Sequence, residues 1–239
     1  MKLGAHCLCL SLSLVCLSTA KSVIAEAQNS QIPTYRSGLK SIAIPPPTSD
    51  LNEVGSDYRV LFEPFAPDTN RLIAAYMLDG DSAKIRAGVA TGGSRHAFVE
   101  TLRRAEFAEF DAASFNAISA ALSKQYGTGQ DSTQMNVKTQ QDELNHKLKA
   151  AGVTTEIALD KPVQLGAFFS KPDAYCFGLI GPISGDGSSI KMITAVIALR
   201  VQNRLLYAYV YAPYAGDDSV RWVRDTSEQW ADAILKANH

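Results

Sequence analysis

The chain has 239 residues, 46% of them hydrophobic and 20% charged, with a formal net charge of −1 at pH 7. This composition is typical of a globular protein and excludes collagen-like, coiled-coil and disordered classes. The balance of 23 basic and 24 acidic residues argues against nucleic acid or an anionic membrane surface as the main partner, since both need a basic excess or a basic patch.

The first 27 residues predict a secretory signal peptide. Lys2 precedes an apolar block from Leu3 to Leu17, and small residues follow. The block is shorter than the roughly 20 residues that a membrane-spanning helix needs. One alternative is an uncleaved amino-terminal anchor, because Lys2 is a weak charge signal. Another is lipidation at Cys16, although the bulky Val15 stands directly before it, where a small residue is expected. We expect removal of residues 1–27 on export, and a single domain over residues 28–239 in the periplasm or the medium. The candidate cleavage sites follow Ala20, Ala25 and Ala27.

Cysteine usage excludes a disulfide-stapled scaffold. Three of the four cysteines lie inside the predicted signal, and the mature chain keeps Cys176 alone. One cysteine cannot form an internal disulfide, so the fold must depend on its hydrophobic core.

The amino-terminal half predicts strands followed by two helices. SIAIPPP indicates a strand that ends at Pro45, and YRVLFEPF with NRLIAAYML indicates a hairpin around residues 66–69. RHAFVETLRRAE fits a strand or a helix. DAASFNAISAALSKQYG predicts a helix capped by Asp111 and closed by Gly127, and QMNVKTQQDELNHKLKAAG predicts a second, more polar helix. The first helix has an apolar stripe of Phe115, Ile118, Leu122 and Tyr126.

The stretch from Met192 to Gly216 is the most apolar after the amino-terminus, and it predicts a hairpin rather than a membrane span. Arg200 and Arg204 divide it into two runs that are too short to cross a bilayer. Asn203 suits a tight turn between them because asparagine tolerates positive φ. Upstream, AYCFGLIGPISGDGSSIKMITAVIAL predicts two more strands around the turn signal at residues 185–187, which makes a meander of at least three antiparallel strands.

The carboxy-terminal stretch DDSVRWVRDTSEQWADAILKANH predicts an amphipathic closing helix. Asp218 or Ser219 can cap it, and apolar residues then recur at helical spacing. Trp230 falls within the apolar stripe and Trp222 at its edge. We therefore expect Trp230 in the core and the Trp222 indole half exposed.

Strands, two helices, more strands and a final helix indicate an α+β fold, an antiparallel sheet with helices packed on it. The unit from Lys191 to Asn238, KMITAVIALRVQNRLLYAYVYAPYAGDDSVRWVRDTSEQWADAILKAN, resembles the hairpin-plus-final-helix ending of PsbP/Mog1-like domains. Those domains mostly act as binding or accessory factors, so the resemblance implies a non-catalytic module.

The tyrosines of the hairpin are the candidate binding residues. Tyr207, Tyr209 and Tyr211 alternate with small residues, so the three rings share one face of a strand. Together with Trp222 they offer an aromatic surface to a protein or a small molecule. The alternative is that the closing helix covers this face as part of the core.

The alternative hypothesis, an enzyme, relies on Cys176 and His96. A hydrolase or transferase could use either residue, or both, if the fold brings them together with further groups. A buried structural role is more typical of a lone cysteine on a strand. The segment around His96, TGGSRHAF, does not contain the G-x-S-x-G motif of a nucleophilic serine, and it supplies no carboxylate to orient the histidine.

The remaining motifs indicate neither a cofactor nor a metal. The glycine-rich runs at residues 91–94 and 185–189 lack the lysine and the helix of a phosphate-binding loop, so turns are the expectation. The scattered histidines have no metal-ligand spacing. We therefore expect an exported binding or accessory module without cofactor or metal and without a transmembrane segment in the mature chain, with the hydrolase or transferase as the alternative.

Overall fold

The computed structural model describes residues 32–55, 62–63, 66–86, 94–128, 137–150, 156–185 and 188–239. The signal peptide predicted over residues 1–27 lies outside these residues. Within them the chain forms an antiparallel sheet of eight strands, a separate two-stranded hairpin and four α-helices. The predicted α+β class is therefore confirmed.

The strands are β1 (Thr34–Ser37), β2 (Lys40–Ala43), β3 (Leu51–Glu53), β4 (Asn70–Leu78), β5 (His96–Leu102), β6 (Ala158–Leu159), β7 (Val163–Lys171), β8 (Ala174–Gly185), β9 (Ser188–Val201) and β10 (Arg204–Pro213). The helices are α1 (Asp79–Arg86), α2 (Ala112–Tyr126), α3 (Val137–Ala150) and α4 (Asp217–Ala237).

The order of strands across the large sheet is β3, β4, β5, β10, β9, β8 and β6, and β7 also pairs with β8. The predicted meander is thus β8, β9 and β10, at the centre of the sheet. The predicted hairpin over residues 192–216 is confirmed, with Val201 paired to Arg204. Gln202 and Asn203 form its two-residue turn with φ of 49° and 62°. Two consecutive positive φ angles match the twist of the flanking strands.

The closing helix α4 covers one face of the sheet, here called the helix face. Val223, Trp230 and Ile234 from α4 are each fully buried, at 0% exposure, against small and aliphatic side chains of the strands. The prediction that Trp230 is a core residue is confirmed. The strand residues beneath α4 include Ala195, Ile197, Ala208, Val210 and Ala212.

The segment that contains β1 and β2 packs against the same face as α4. Ile42 and Ile44 are buried in the helix-face core. The side-chain amide of Asn238 pairs with the backbone of Ala43, accepting from its N–H at 2.9 Å and donating to its C=O at 2.7 Å. The indole N–H of Trp230 donates to the Pro45 carbonyl at 2.7 Å. These bonds fix the start of the described chain to its carboxy-terminal end.

The opposite face of the sheet carries Tyr207, Tyr209 and Tyr211 and is called the tyrosine face. The predicted helix α2 begins as expected, because the Asp111 carboxylate accepts a hydrogen bond from the Ser114 N–H at 2.8 Å. Phe115 from α2 is fully buried against Leu205 and Ala198 on this face. Tyr126, at the end of α2, stacks on Phe177 with ring centroids 4.2 Å apart. The predicted apolar stripe of α2 therefore packs on the tyrosine face.

Two expectations for the amino-terminal half have different outcomes. RHAFVETLRRAE is a strand, β5, followed by a 3₁₀ turn over Arg103–Ala105. NRLIAAYML is strand β4, but within the described residues it pairs with β3 and β5. Most of its predicted hairpin partner YRVLFEPF lies outside the described residues. Among the helices that the structure describes, none is long and apolar enough to cross a membrane.

Candidate functional site

The three candidate tyrosines lie side by side on β10, at the centre of the tyrosine face. Each ring is half-buried, whereas Ala208 and Val210 between them are buried on the opposite face. The alternation predicted from the sequence is therefore confirmed. The covering element is different from the expected one, because α4 packs on the small residues and not on the tyrosines. In a strand, successive side chains point to opposite faces of the sheet, so the large and the small residues of β10 face different layers. The small residues leave room for α4 to pack closely on their face.

Different neighbours hold the three tyrosine rings. Tyr207 packs with the apolar side chains of α2. Tyr209 and Tyr211 are stacked with centroids 6.2 Å apart, and Tyr211 meets the edge of Phe98 at 5.6 Å. These two rings also pack against a buried cluster that includes Phe62. Most of the ring surface is used inside the protein.

A buried carboxylate lies next to these tyrosines. Glu100, on β5 opposite Tyr207, is 4% exposed and accepts a hydrogen bond from the Asn70 side chain at 2.7 Å. Burial raises the pKa of the Glu100 carboxyl, although the bonds from Asn70 and Tyr209 counteract this effect. Burial and the neighbouring Glu100 both raise the pKa of Tyr209 and Tyr211 above the ordinary tyrosine range. The tyrosine hydroxyls therefore stay protonated at neutral pH.

His96 stacks on the last of these tyrosines. Its ring lies 4.5 Å from that of Tyr211 at an interplanar angle of 14°, and its Nδ1 lies 2.8 Å from the Ser94 carbonyl oxygen. Burial lowers the pKa of His96 to about 4. The imidazole is thus neutral at neutral pH and extends the aromatic surface of the tyrosine face.

Cys176 lies on the other side of the sheet. It is fully buried in the helix-face core between strand residues and α4. Burial raises the pKa of its thiol far above the ordinary range, so a thiolate does not form near neutral pH. The sheet separates Cys176 from His96, and the structure does not bring the two candidate catalytic residues together.

The structure also separates Trp222 from the tyrosines, because α4 packs on the helix face. Trp222 is half-buried, and the guanidinium of Arg95 lies over its indole, 4.2 Å from the ring centroid. A cation over an indole is a favourable contact of about 0.5–1 kcal/mol at an exposed site. Trp222 therefore contributes to a different surface from the one that the sequence suggested.

A groove of about 420 Å³ opens beside this stacked pair. Its lining is mainly apolar, and Trp222 supplies the aromatic side chain. Hydroxyl groups and one charge of each sign border it. A volume of this size is within the range of small-molecule sites, which combine apolar walls with a few polar groups. The residues that line it are Asp50, Leu78, Ser94, Arg95, Ala212, Pro213, Ala215, Ser219 and Trp222.

Sequence reasoning singled out Trp222 but missed the other members of the groove. Asp50, Arg95 and Trp222 are far apart in the chain and meet only because β3, β4, β5 and β10 are neighbours in the sheet. The predicted glycine-rich turns at residues 91–94 and 185–189 lie partly outside the described residues. No group of three or more His, Cys, Asp or Glu side chains within the described ranges is arranged to hold a metal ion.

The fold and the groove define an α+β domain with an open site at one end of its sheet. Among solved structures, the chain is similar to the Ran-binding protein Mog1p of Saccharomyces cerevisiae, with 10% identity, a TM-score of 0.31, and coverage of 87% of this chain and 96% of that one. It is also similar to a mutant of Mog1, with 11% identity, a TM-score of 0.31, and coverage of 87% and 95%. The sequence matches no protein-family model, and no curated protein matches it significantly.

Proposed function

We propose that this protein is exported and works as a binding or accessory module, with the groove beside Trp222 as its ligand site. The observation that carries the proposal is the Arg95–Trp222 pair on the wall of the groove. A half-exposed indole offers a large, rigid surface for an apolar or aromatic group, and the adjacent hydroxyls and charges can orient it. The ligand is a small molecule or a short chain segment that has both an apolar face and a hydrogen-bonding group.

Export is supported by the apolar, small-residue pattern of the first 27 residues. Binding rather than catalysis is supported by the positions of Cys176 and His96 on opposite faces of the sheet. For the tyrosine row we propose a packing role, because α2 and the Phe62 cluster occupy most of its surface.

Nuclear magnetic resonance tests the groove directly, since the chain has two tryptophans. In a ¹⁵N-labelled sample, a library of small aromatic fragments should shift the indole N–H signal of Trp222. The buried Trp230 indole, which donates to Pro45, is the internal control and should not move. The shifts of the Trp222 indole signal should disappear in Arg95→Ala and persist in Tyr211→Phe. Fragments that shift only residues of the tyrosine face would contradict the assignment of the site.

A further inference from the structure

The two most exposed large hydrophobic side chains in the described part of the chain are neighbours. Leu39, at the tip of the β1–β2 hairpin, is 73% exposed, and Phe107, after the 3₁₀ turn, is 68% exposed. Gly38 joins the two loops, because a Cβ atom there would lie 2.6 Å from the Glu106 carbonyl oxygen and 3.3 Å from Phe107 Cδ1. Leu39 and Phe107 thus form one apolar patch, although they are 68 positions apart.

A polar network holds this patch in one geometry. Glu106 accepts hydrogen bonds from the Gly38 N–H at 3.3 Å and from Arg71 Nε at 3.2 Å. Arg71 also donates to the Arg36 carbonyl at 2.7 Å, so one guanidinium ties β4 to both loops. Gly38 has a φ of 56°, in the left-handed region that favours glycine. The two exposed side chains are therefore presented by fixed backbone.

Basic residues lie close to both apolar side chains in the chain. Lys40 follows Leu39, Arg36 precedes it by three residues, and Arg103 and Arg104 precede Phe107. Arg103 lies 3.8 Å from Glu63. Among the described residues, Arg36, Lys40 and Arg104 form no ion pair. The chain as a whole is almost neutral. Glu106 and Glu109, next to Phe107, are paired with Arg71 and with Arg204, so the unpaired charge at this surface is positive.

We propose that Leu39 and Phe107 form a docking surface for another protein, one with an apolar pocket bordered by aspartate or glutamate. An apolar centre that includes an aromatic residue, inside a polar rim, is the usual anatomy of a protein interface. The cations complement acidic groups on the partner and speed encounter. A patch that is already ordered loses little conformational entropy on binding. Insertion into a lipid surface does not require such fixed geometry, so the network favours a protein. This surface is separate from the Trp222 groove and does not depend on it.

Photo-cross-linking in cells that make the protein naturally tests this proposal. Benzoyl-phenylalanine at position 39 or 107 should produce the same discrete adduct. Val163 is the matched control, because it is 62% exposed and lies on a different element, strand β7, and the same replacement there should not produce the adduct. The purified partner should bind wild type at least about tenfold more tightly than the Arg36→Glu/Arg104→Glu variant. If the charge reversal leaves the affinity for the partner unchanged, the proposal is wrong.

Further outcomes separate the alternatives. The Leu39→Ser/Phe107→Ser variant should fold with an unchanged thermal midpoint and lose the partner. A large fall in the midpoint would show that the two side chains are structural, and the proposal would fail. Binding of the wild type to vesicles of anionic phospholipid, or an adduct with the mass of two copies of this chain, would also overturn it.

Discussion

The two tryptophans differ in what surrounds them, although both belong to α4. Trp230 is fully buried, meets Tyr76 edge-on at 5.7 Å and donates to Pro45. Replacing Trp230 by alanine should lower the free energy of unfolding by about 3–5 kcal/mol, because it leaves a cavity and an unpaired carbonyl. The same change at Trp222 should cost less, about 1–2 kcal/mol, since part of that ring already contacts water. Denaturant melts of both variants measure the difference. Equal losses would contradict the burial of the two rings.

His96 makes stability depend on pH. Its pKa is about 4 in the folded protein, against about 6.5 in an unfolded chain. The unfolded chain binds more protons between these values, so the contribution is complete above about pH 6.5 and is lost as pH falls towards 4. The loss should reach about 3 kcal/mol.

The matched variants are His96→Gln, which does not titrate, and His146→Gln on the exposed side of α3. The stability difference between wild type and His96→Gln should shrink or reverse as pH falls from 7 to 4. Glu100 titrates in both proteins, so the comparison isolates the imidazole. The His146→Gln curve should follow wild type. A pH-independent difference at His96 would show that its imidazole is not perturbed.

At the scale of elements, polar contacts anchor α3 to the rest of the protein. The Asn145 amide pairs with the Ile157 backbone, donating to its C=O at 2.9 Å and accepting from its N–H at 2.8 Å. On another side of the helix, Lys147 donates to the Ala66 carbonyl at 2.6 Å. Leu148 is the buried side chain among those described in α3. Among the described side chains, the helix therefore has less apolar anchorage than α4, which buries Val223, Trp230 and Ile234.

Asn145→Ala should open α3 locally, because it leaves the Ile157 amide and carbonyl without their partners. Hydrogen exchange followed by mass spectrometry should show faster exchange over residues 137–150 with little change over α4. The control is Asp142→Ala, which breaks only an exposed pair with Lys138. If exchange rises equally in both variants, the Asn145 contact is not what holds the helix.

For the molecule as a whole, the prediction with the largest chemical consequence is export. Removal of the first 27 residues would also remove three of the four cysteines. Intact mass of the exported protein should correspond to cleavage after Ala20, Ala25 or Ala27. A species that retains Met1 would contradict the signal peptide and favour the amino-terminal anchor.

Residue patterns alone were enough for the elements with strong periodicity. The β9–β10 hairpin, the Asp111 cap of α2 and the apolar stripe of α4 are encoded by neighbours within a few residues of each other. RHAFVETLRRAE stayed ambiguous because its side chains fit a strand or a helix equally well, and pairing with β4 and β10 made it a strand. The hairpin partner expected for β4 lies mostly outside the described residues, and the pairings that are described, with β3 and β5, depend on contacts between distant segments.

Local sequence patterns were sufficient to predict the α+β class, the central hairpin, the amphipathic closing helix and the burial of Trp230. Each follows from a local period of two or 3.6 residues, which sets the direction of a side chain within its own element. Which layer covers each face of the sheet depends on tertiary contacts. Those contacts place α4 on the small residues of β10, separate Cys176 from His96 and Trp222 from the tyrosines, and bring Arg95 over Trp222. Alternation along a strand defines two faces, but the partner of each face is set by side chains that are distant in sequence.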